Sequence, residues 1–151
     1  MTAAGTRPVV LLLSGPNLNL LGEREPDIYG TETLDDHVKA ASQQAAAHDL
    51  DVEHHQSNHE GELVDVIHAA RGRAAAIVIN AGAFTHYAWS LHDALAAFDG
   101  PVIELHLSNP VSREAWRSTS VIAPVATGSI AGFGSAGYRL AIEAVAGLLG
   151  R

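Results

Sequence analysis

The chain has 151 residues, which is enough for one domain with a sizeable core. Its net charge of −8 argues against nucleic acid as a partner, because phosphates require a basic surface. The absence of cysteine excludes disulfides and thiolate chemistry, and the low charged fraction of 17% predicts a homo-oligomer that buries part of its surface against other copies.

The beginning of the chain indicates neither export nor a membrane anchor. The first apolar run, residues 9–13, is too short for a signal peptide or a transmembrane helix. The small polar segment before it, residues 1–7, is predicted to be disordered. We therefore expect a cytoplasmic protein whose 151 residues form a single catalytic domain.

Apolar runs and turn residues predict strands that alternate with helices along the chain. Strands are expected at 9–13, 51–56, 75–79, 101–107 and 129–133, and helices at about 33–48, 60–71, 87–98 and 135–149. The clearest strands are wholly apolar, which is typical of strands that are buried on both faces. The sequence therefore predicts an α/β fold, a flavodoxin-like doubly wound five-stranded parallel sheet with helices on both faces.

Three polar loops follow the carboxyl ends of the predicted strands. They are residues 14–17, 80–82 and 106–109. Ligands of open parallel sheets bind beyond these strand ends. The loops therefore mark the candidate site.

The long connection after the first strand, residues 15–30, carries Arg24 and Tyr29. Ordered loops of this length are often lids over active sites. A phenol is a poor base near neutrality, but a nearby guanidinium stabilises the phenolate. The pair is a candidate general base. The alternative is that Tyr29 packs in a turn and Arg24 is solvated.

Glu104 and His106 are two residues apart on the fourth strand, so their side chains point to the same face. A carboxylate beside an imidazole favours the protonated ring and fixes its orientation. This arrangement suits a general acid. The alternative is a buried ion pair without chemistry.

Further candidates lie on the loops that complete the rim. Asn80 and the backbone amides near Gly82 can hold ligand hydroxyls or a carboxylate, whereas His86 alone is more typical of a structural histidine. Arg113 and Arg117, four residues apart on a predicted helical turn, suit a ligand carboxylate, or else form a solvated surface pair.

Other chemistries have weak support in the sequence. No metal site is expected, because the adjacent His54 and His55 point to opposite faces of a strand. Lys39 is the only lysine and falls in the middle of a predicted helix, which argues against a Schiff base. The candidate site is therefore expected to work by proton transfer.

These motifs, in this order, resemble the type II 3-dehydroquinate dehydratases. The resemblance extends from about Val9 to Leu149 and rests on residues 15–22 with Arg24 and Tyr29, and on residues 56–61, 80–86, 104–109, 113–117 and 130–138. It implies a lyase that needs no cofactor. The implied reaction is the trans-dehydration of 3-dehydroquinate to 3-dehydroshikimate through an enolate, in the shikimate pathway of aromatic amino-acid biosynthesis.

The resemblance also implies a role for each matching residue. Tyr29 matches the base, Arg24 the group that activates it, Asn17 the holder of a water near the enolate oxygen, His106 the acid and Glu104 its orienting partner. Asp93 matches a residue that acts in the neighbouring subunit's site, in a dodecamer built from four trimers. The substrate-binding positions correspond to Asn80, Gly82, His86, Leu107, Ser108, Arg113 and Arg117.

The departures from the family pattern are modest. Ser118 and Thr119 stand where two histidines are common, Pro110 follows Asn109, and the bulky Tyr87 and Trp89 replace smaller residues. They affect the expected rim of the site and leave each catalytic position filled. The alternatives are a flavodoxin-like binding module for a nucleotide or phosphate and an inactive assembly subunit. The binding module has less support, because the sequence contains no phosphate-binding glycine motif after the first strand.

Overall fold

A computed structural model describes residues 5–151 of the chain. Its strands are β1 (Val9–Ser14), β2 (Asp51–Gln56), β3 (Ala76–Asn80), β4 (Val102–His106) and β5 (Gly128–Ala131). Its α-helices are α1 (Pro26–Tyr29), α2 (Leu34–Ala46), α3 (Glu60–Ala70), α4 (Trp89–Ala96) and α5 (Ala136–Leu148). Short 3-10 segments occur at Leu18–Leu20, Gly82–His86, Pro110–Ser112, Ala115–Ser118 and Ala123–Val125.

The five strands form one parallel sheet in the order β2-β1-β3-β4-β5. This is the strand order of flavodoxin-like folds, so the predicted fold class is confirmed. The chain reverses its direction of winding between β1 and β3, the two strands that pair at the centre of the sheet. That point in the sheet is where such folds bind their ligands.

Helices cover both faces of the sheet, as the wholly apolar strands predict. Val10 and Leu12 of β1 face a core completed by α2 and α5, whereas Leu11 and Leu13 face a core completed by α3 and α4. All four side chains are fully buried. Burial on two faces leaves the strand ends and their loops as the parts of the sheet that a ligand can reach.

The beginning of α2 follows the sequence prediction closely. Thr33 Oγ1 accepts a hydrogen bond from the Asp36 amide, and the Asp36 carboxylate accepts one from the Thr33 amide. This reciprocal capping box satisfies two amides that the helix itself leaves unpaired. The cap fixes the point at which the long loop after β1 rejoins the regular structure.

Local details differ from the sequence prediction at three places. The loop after β1 contains two helical turns, Leu18–Leu20 and Pro26–Tyr29, because buried leucines and a proline at the first helical position order it. The helical turn expected at residues 113–117 begins only at Ala115, so Arg113 lies outside it. The last strand is shorter than predicted and ends at Ala131, before the turn at Gly132.

The segment 1–7, predicted to be disordered, is described only in part. Residues 1–4 lie outside the described residues, whereas the Arg7 guanidinium lies 3.8 Å from an Asp49 carboxylate oxygen and 3.9 Å from one of Asp51. Within residues 5–151, no helix combines the length and the apolar character needed to cross a bilayer.

Candidate active site

A cavity opens beyond the carboxyl ends of β1, β3 and β4, as the loop composition predicts. It is lined by side chains from all three loops and from the segment that follows β4. Among the residues predicted for the site, the structure brings together around it Asn17, Arg24, Tyr29, Asn80, Gly82, His86, His106, Leu107, Ser108, Arg113 and Arg117.

The floor of the cavity is formed where the loops after β1 and β3 touch. The Gly15 amide donates to the Asn80 carbonyl at 2.8 Å, and a Cβ at Gly15 would lie 2.2 Å from the Ala81 carbonyl oxygen. Gly82 has φ +58°, and a Cβ there would lie 3.0 Å from the Pro16 carbonyl oxygen. Two glycines therefore allow a backbone approach that no other residue permits.

The loop after β1 is ordered by its own apolar residues. Leu18 and Leu21 are buried in the core beside α2 and α5, and this anchors the loop from below. The anchored loop leads into α1, whose last residue is Tyr29. The Tyr29 ring packs partly against the same core, which leaves its hydroxyl at the cavity.

Two arginines flank the Tyr29 ring. The Arg113 Nη1 donates a hydrogen bond to the Tyr29 hydroxyl at 2.8 Å, and it lies 3.2 Å from the Ser108 Oγ. The Arg24 guanidinium carbon lies 5.4 Å from the ring centroid, and its Nη2 is paired with Glu25 at 3.1 Å. The sequence pairs Tyr29 with Arg24, and the structure adds Arg113. Local spacing carries no signal for that contact, because 84 residues separate its partners.

The His106 and Glu104 side chains meet as the strand periodicity predicts. His106 Nε2 and Glu104 Oε2 are 2.8 Å apart. The Glu104 carboxylate is almost fully buried, whereas His106 reaches the cavity. Burial raises the pKa of Glu104, but hydrogen bonds from His106 and Ser120 outweigh it and bring the pKa below its ordinary value. The pair thus combines a buried carboxylate with an imidazole that a ligand can reach.

The opposite wall of the cavity carries a histidine and an arginine. His86 Nδ1 donates to the Thr119 carbonyl at 2.6 Å, which leaves Nε2 free to face a ligand. The His86 ring meets Trp116 edge to face at 5.1 Å between centroids. The Arg117 guanidinium carbon also lies over the Trp116 ring, 4.1 Å from its centroid, and the guanidinium is paired with Glu114. Trp116 thus helps to orient both polar side chains.

Two asparagines complete the polar lining. Asn80 is buried at the end of β3, and its side-chain oxygen accepts from the Gly82 amide at 3.3 Å. Asn17 adopts φ 67°, and its amide donates to the Asn58 side chain at 3.0 Å. Gln56 supports the same turn by donating to the Gly15 carbonyl at 3.1 Å. These contacts from the end of β2 are visible only once the sheet order is known.

Two predicted site residues, Asp93 and Glu104, do not line the cavity. Asp93 lies on α4 with its side chain exposed, and it is not among the cavity's lining residues. Glu104 also lies outside the lining, but it contacts His106 directly. Its position behind the imidazole matches the expected orienting role in geometry.

The cavity therefore presents a phenol held by an arginine and an imidazole held by a buried carboxylate. The first pair can accept a proton, because a guanidinium favours the phenolate form. The second can deliver one, because a carboxylate stabilises the imidazolium. Further amide and guanidinium donors can hold the hydroxyls and carboxylate of a small polar ligand.

Known proteins resemble this chain in both sequence and fold. The chain matches the family described as dehydroquinase class II over residues 8–146. It is 54% identical over 143 residues to 3-dehydroquinate dehydratase 2 of Pseudomonas putida, covering 95% of this chain and 96% of that protein. It is 52% identical over 139 residues to 3-dehydroquinate dehydratase of Corynebacterium glutamicum, covering 92% and 96% of the two chains.

A solved structure shows the same architecture. The type II dehydroquinase from Butyrivibrio crossotus superimposes with a TM-score of 0.90 at 42% sequence identity, covering 93% of this chain and 99% of that one. The sequence match extends over nearly all elements that build the cavity. This chain belongs to the class II dehydroquinases.

Proposed function

We propose that this chain is a lyase that dehydrates 3-dehydroquinate to 3-dehydroshikimate in the shikimate pathway. Membership of the dehydroquinase family supports the activity and the substrate. The observation that carries the proposal is the cavity in which the Tyr29 hydroxyl and the His106 imidazole both take part, each held by a charged partner. A β-hydroxy ketone loses water by this combination of a base and an acid.

The proposed reaction begins at Tyr29. Its phenolate takes the proton from the carbon alpha to the ketone. The electron pair of that C–H bond forms a carbon–carbon double bond, and the π electrons of the carbonyl move to its oxygen, which gives an enolate. Arg113 donates to the phenolic oxygen and Arg24 lies beside the ring, so both cations favour the phenolate. A water held by Asn17 would donate to the enolate oxygen as charge develops there.

The second step eliminates the hydroxyl group beta to the ketone. The enolate re-forms the carbonyl, the carbon–carbon double bond forms, and the carbon–oxygen bond breaks. His106 donates its proton to the leaving oxygen, which departs as water. Glu104 stabilises the imidazolium before this transfer and fixes the ring orientation. Proton exchange with solvent then restores Tyr29 and His106.

Residues around the reacting atoms would hold the substrate. Arg117, half-buried against the Trp116 ring, suits the carboxylate of the ligand because a guanidinium can bind it through two parallel hydrogen bonds. Asn80, His86 and Ser108 offer donors and acceptors for the ring hydroxyls. The backbone near Gly82 and Leu107 completes the proposed binding surface.

The test is direct. The protein is incubated with 3-dehydroquinate, and the absorbance of the conjugated enone product is followed. We expect product formation without added metal or organic cofactor, and unchanged activity after borohydride treatment in the presence of substrate, because no imine is formed. Folded protein that yields no enone would contradict the proposed activity and would favour a binding module or an inactive subunit.

For the assembly, we propose a dodecamer of four trimers in which Asp93 acts in the neighbouring subunit's site, and we place the protein in the cytoplasm. The exposed position of Asp93 on α4 supports a role outside its own cavity. Large exposed apolar side chains support an extensive contact surface, since monomers rarely expose many of them. Those that are more than half exposed are Tyr87, Trp89, Val111, Trp116 and Phe133.

Subunit complementation tests the shared site. Asp93→Ala and Tyr29→Phe subunits are each expected to be inactive alone. Co-expressed, they should regain part of the wild-type activity, because Asp93 of a Tyr29→Phe subunit completes the site of an Asp93→Ala subunit. Mixtures that stay inactive while forming dodecamers would contradict the role across subunits, and a monomer in light scattering would contradict the assembly.

A further inference from the structure

The Glu104 carboxylate is held at both oxygens by serines that do not line the cavity. Ser120 Oγ lies 2.7 Å from Oε2, the oxygen that His106 also contacts, and Ser129 Oγ lies 3.1 Å from Oε1. Ser129 is directly opposite Glu104 in the register between β4 and β5. Ser120 belongs to the segment after the 3-10 turn Ala115–Ser118. Two separate elements therefore converge on one carboxylate.

The direction of the Ser120 hydrogen bond follows from its other contacts. Its Oγ accepts from the Ile122 amide at 3.2 Å and from the Ala123 amide at 2.9 Å. A hydroxyl has two lone pairs and one proton, so both lone pairs are occupied and the proton is left for Glu104. Glu104 Oε2 is therefore an acceptor toward Ser120, as an ionised carboxylate would be.

The second hydrogen bond that Glu104 Oε2 accepts is donated by the imidazole of His106. With Glu104 ionised, His106 Nε2 must carry a proton in order to bond at 2.8 Å. Nδ1 is then the ring nitrogen that remains for the substrate. Rotation of the carboxylate would break this geometry, and the two serine contacts oppose such rotation from both sides.

We propose that Ser120 and Ser129 are positioning residues that keep Glu104 ionised and aimed at His106 Nε2, so that Nδ1 donates the proton to the leaving hydroxyl. The catalytic part of this inference rests on the proposed function. The hydrogen bonds of both serines favour the charged form of a carboxylate, and they contribute to the lowered pKa of Glu104 against the effect of burial.

The other titratable side chains near Ser120 are bonded to the backbone. His92 on α4 donates through Nδ1 to the Val121 carbonyl at 2.7 Å, and His86 donates to the Thr119 carbonyl. Both rings are thus held by the backbone on either side of Ser120. His106 is the titratable side chain that contacts Glu104.

Ser129→Ala is the primary test, because the side-chain hydrogen bond of Ser129 goes to Glu104. We expect kcat to fall about tenfold with KM unchanged, since a hydrogen bond to a charged group is lost outside the substrate surface. The acidic limb of the activity profile should move to higher pH, because Glu104 becomes easier to protonate. Ser129→Thr keeps the hydroxyl and should restore both properties.

Ser120→Ala tests the second contact, although it also removes the acceptor of two backbone amides. Its effect on the acidic limb should therefore be read beside that of Ser120→Thr, which keeps the acceptor and the donor. Ser90→Ala is the matched control, since the hydroxyl of the exposed Ser90 donates to the half-buried Glu60 and neither residue lines the cavity. The control should leave the acidic limb unchanged.

Carboxyl-carbon NMR of protein labelled at glutamate separates this inference from the proposed function. The Glu104 signal, assigned by Glu104→Gln, should titrate at higher pH in Ser129→Ala and in Ser120→Ala than in the wild type. An unchanged titration, or an acidic limb and kcat that stay as in the wild type in both variants, would overturn the inference. An inactive wild type with shifted titrations would instead refute the proposed function alone.

Discussion

Arg113 donates a hydrogen bond from Nη1 to the Tyr29 hydroxyl at 2.8 Å, across 84 residues of sequence. This contact brings a permanently charged guanidinium within hydrogen-bonding distance of the oxygen that is proposed to act as the base. Arg24, the partner that the sequence indicates, lies beside the ring and is paired with Glu25. The two arginines therefore contact Tyr29 in different ways, Arg113 at the hydroxyl and Arg24 beside the ring.

Substitution of each arginine distinguishes these contributions. We expect activity at neutral pH to fall at least about tenfold in Arg113→Ala, because a hydrogen bond from a charged group to the Tyr29 hydroxyl is lost. Activity should fall by less in Arg24→Ala, because Arg24 lies beside the ring. The rates are measured by enone formation, and wild-type activity in Arg113→Ala would contradict the pairing.

The buried carboxylate predicts how stability depends on pH. The pKa of Glu104 is lowered from 4.5 in the folded protein, so the unfolded chain takes up the proton first as the pH falls. The stability that Glu104 contributes is thus present above its ordinary pKa of 4.5 and is lost as the pH falls through the folded value.

Glu104→Gln should therefore flatten the acid dependence of the unfolding free energy. Denaturant titrations of the wild type and the variant, between neutral pH and about pH 3, measure the difference in slope. Parallel curves below pH 4.5 would show that the carboxylate is not held in its charged form by the fold.

The close approach of the loops after β1 and β3 predicts a strong effect of a single methyl group. Gly15→Ala would place Cβ 2.2 Å from the Ala81 carbonyl oxygen, so the two loops must separate. We expect a loss of about 3 kcal/mol in unfolding free energy, at the upper end of overpacking effects, together with a loss of activity.

Gly147→Ala is the matched control for that substitution. It lies in α5, where a Cβ would meet nothing within 4 Å. Removing a helical glycine should stabilise the protein by about 0.5–1 kcal/mol and leave activity intact. Equal effects of the two substitutions in thermal unfolding would contradict the packing argument.

The sequence predicts those parts of the site that depend on short-range geometry. The wholly apolar β1 and β3 predict a parallel sheet, and the polar residues at their ends predict where the cavity opens. The spacing of Glu104 and His106 predicts that the two side chains meet, because alternate residues of a strand share a face. These features need only the period of a strand and the rule that parallel strands end together.

Contacts between segments that are distant in the sequence cannot be predicted from the period of a strand or from local spacing. Arg113 follows β4 and Tyr29 precedes α2, so their contact depends on how two irregular segments pack. Ser129 meets Glu104 only because β5 pairs with β4 in one particular register. The helical turn Leu18–Leu20 likewise depends on the burial of Leu18 and Leu21, which a sequence rich in Gly, Pro and Asn does not reveal.

Tyr29 is proposed to remove the proton that starts the dehydration. This role is measured by enone formation from 3-dehydroquinate by Tyr29→Phe beside the wild type. The phenylalanine ring keeps the packing against the core, so folding and substrate binding should persist while kcat falls at least about a hundredfold, as for loss of a general base. Turnover at the wild-type rate in a folded Tyr29→Phe protein would contradict the account.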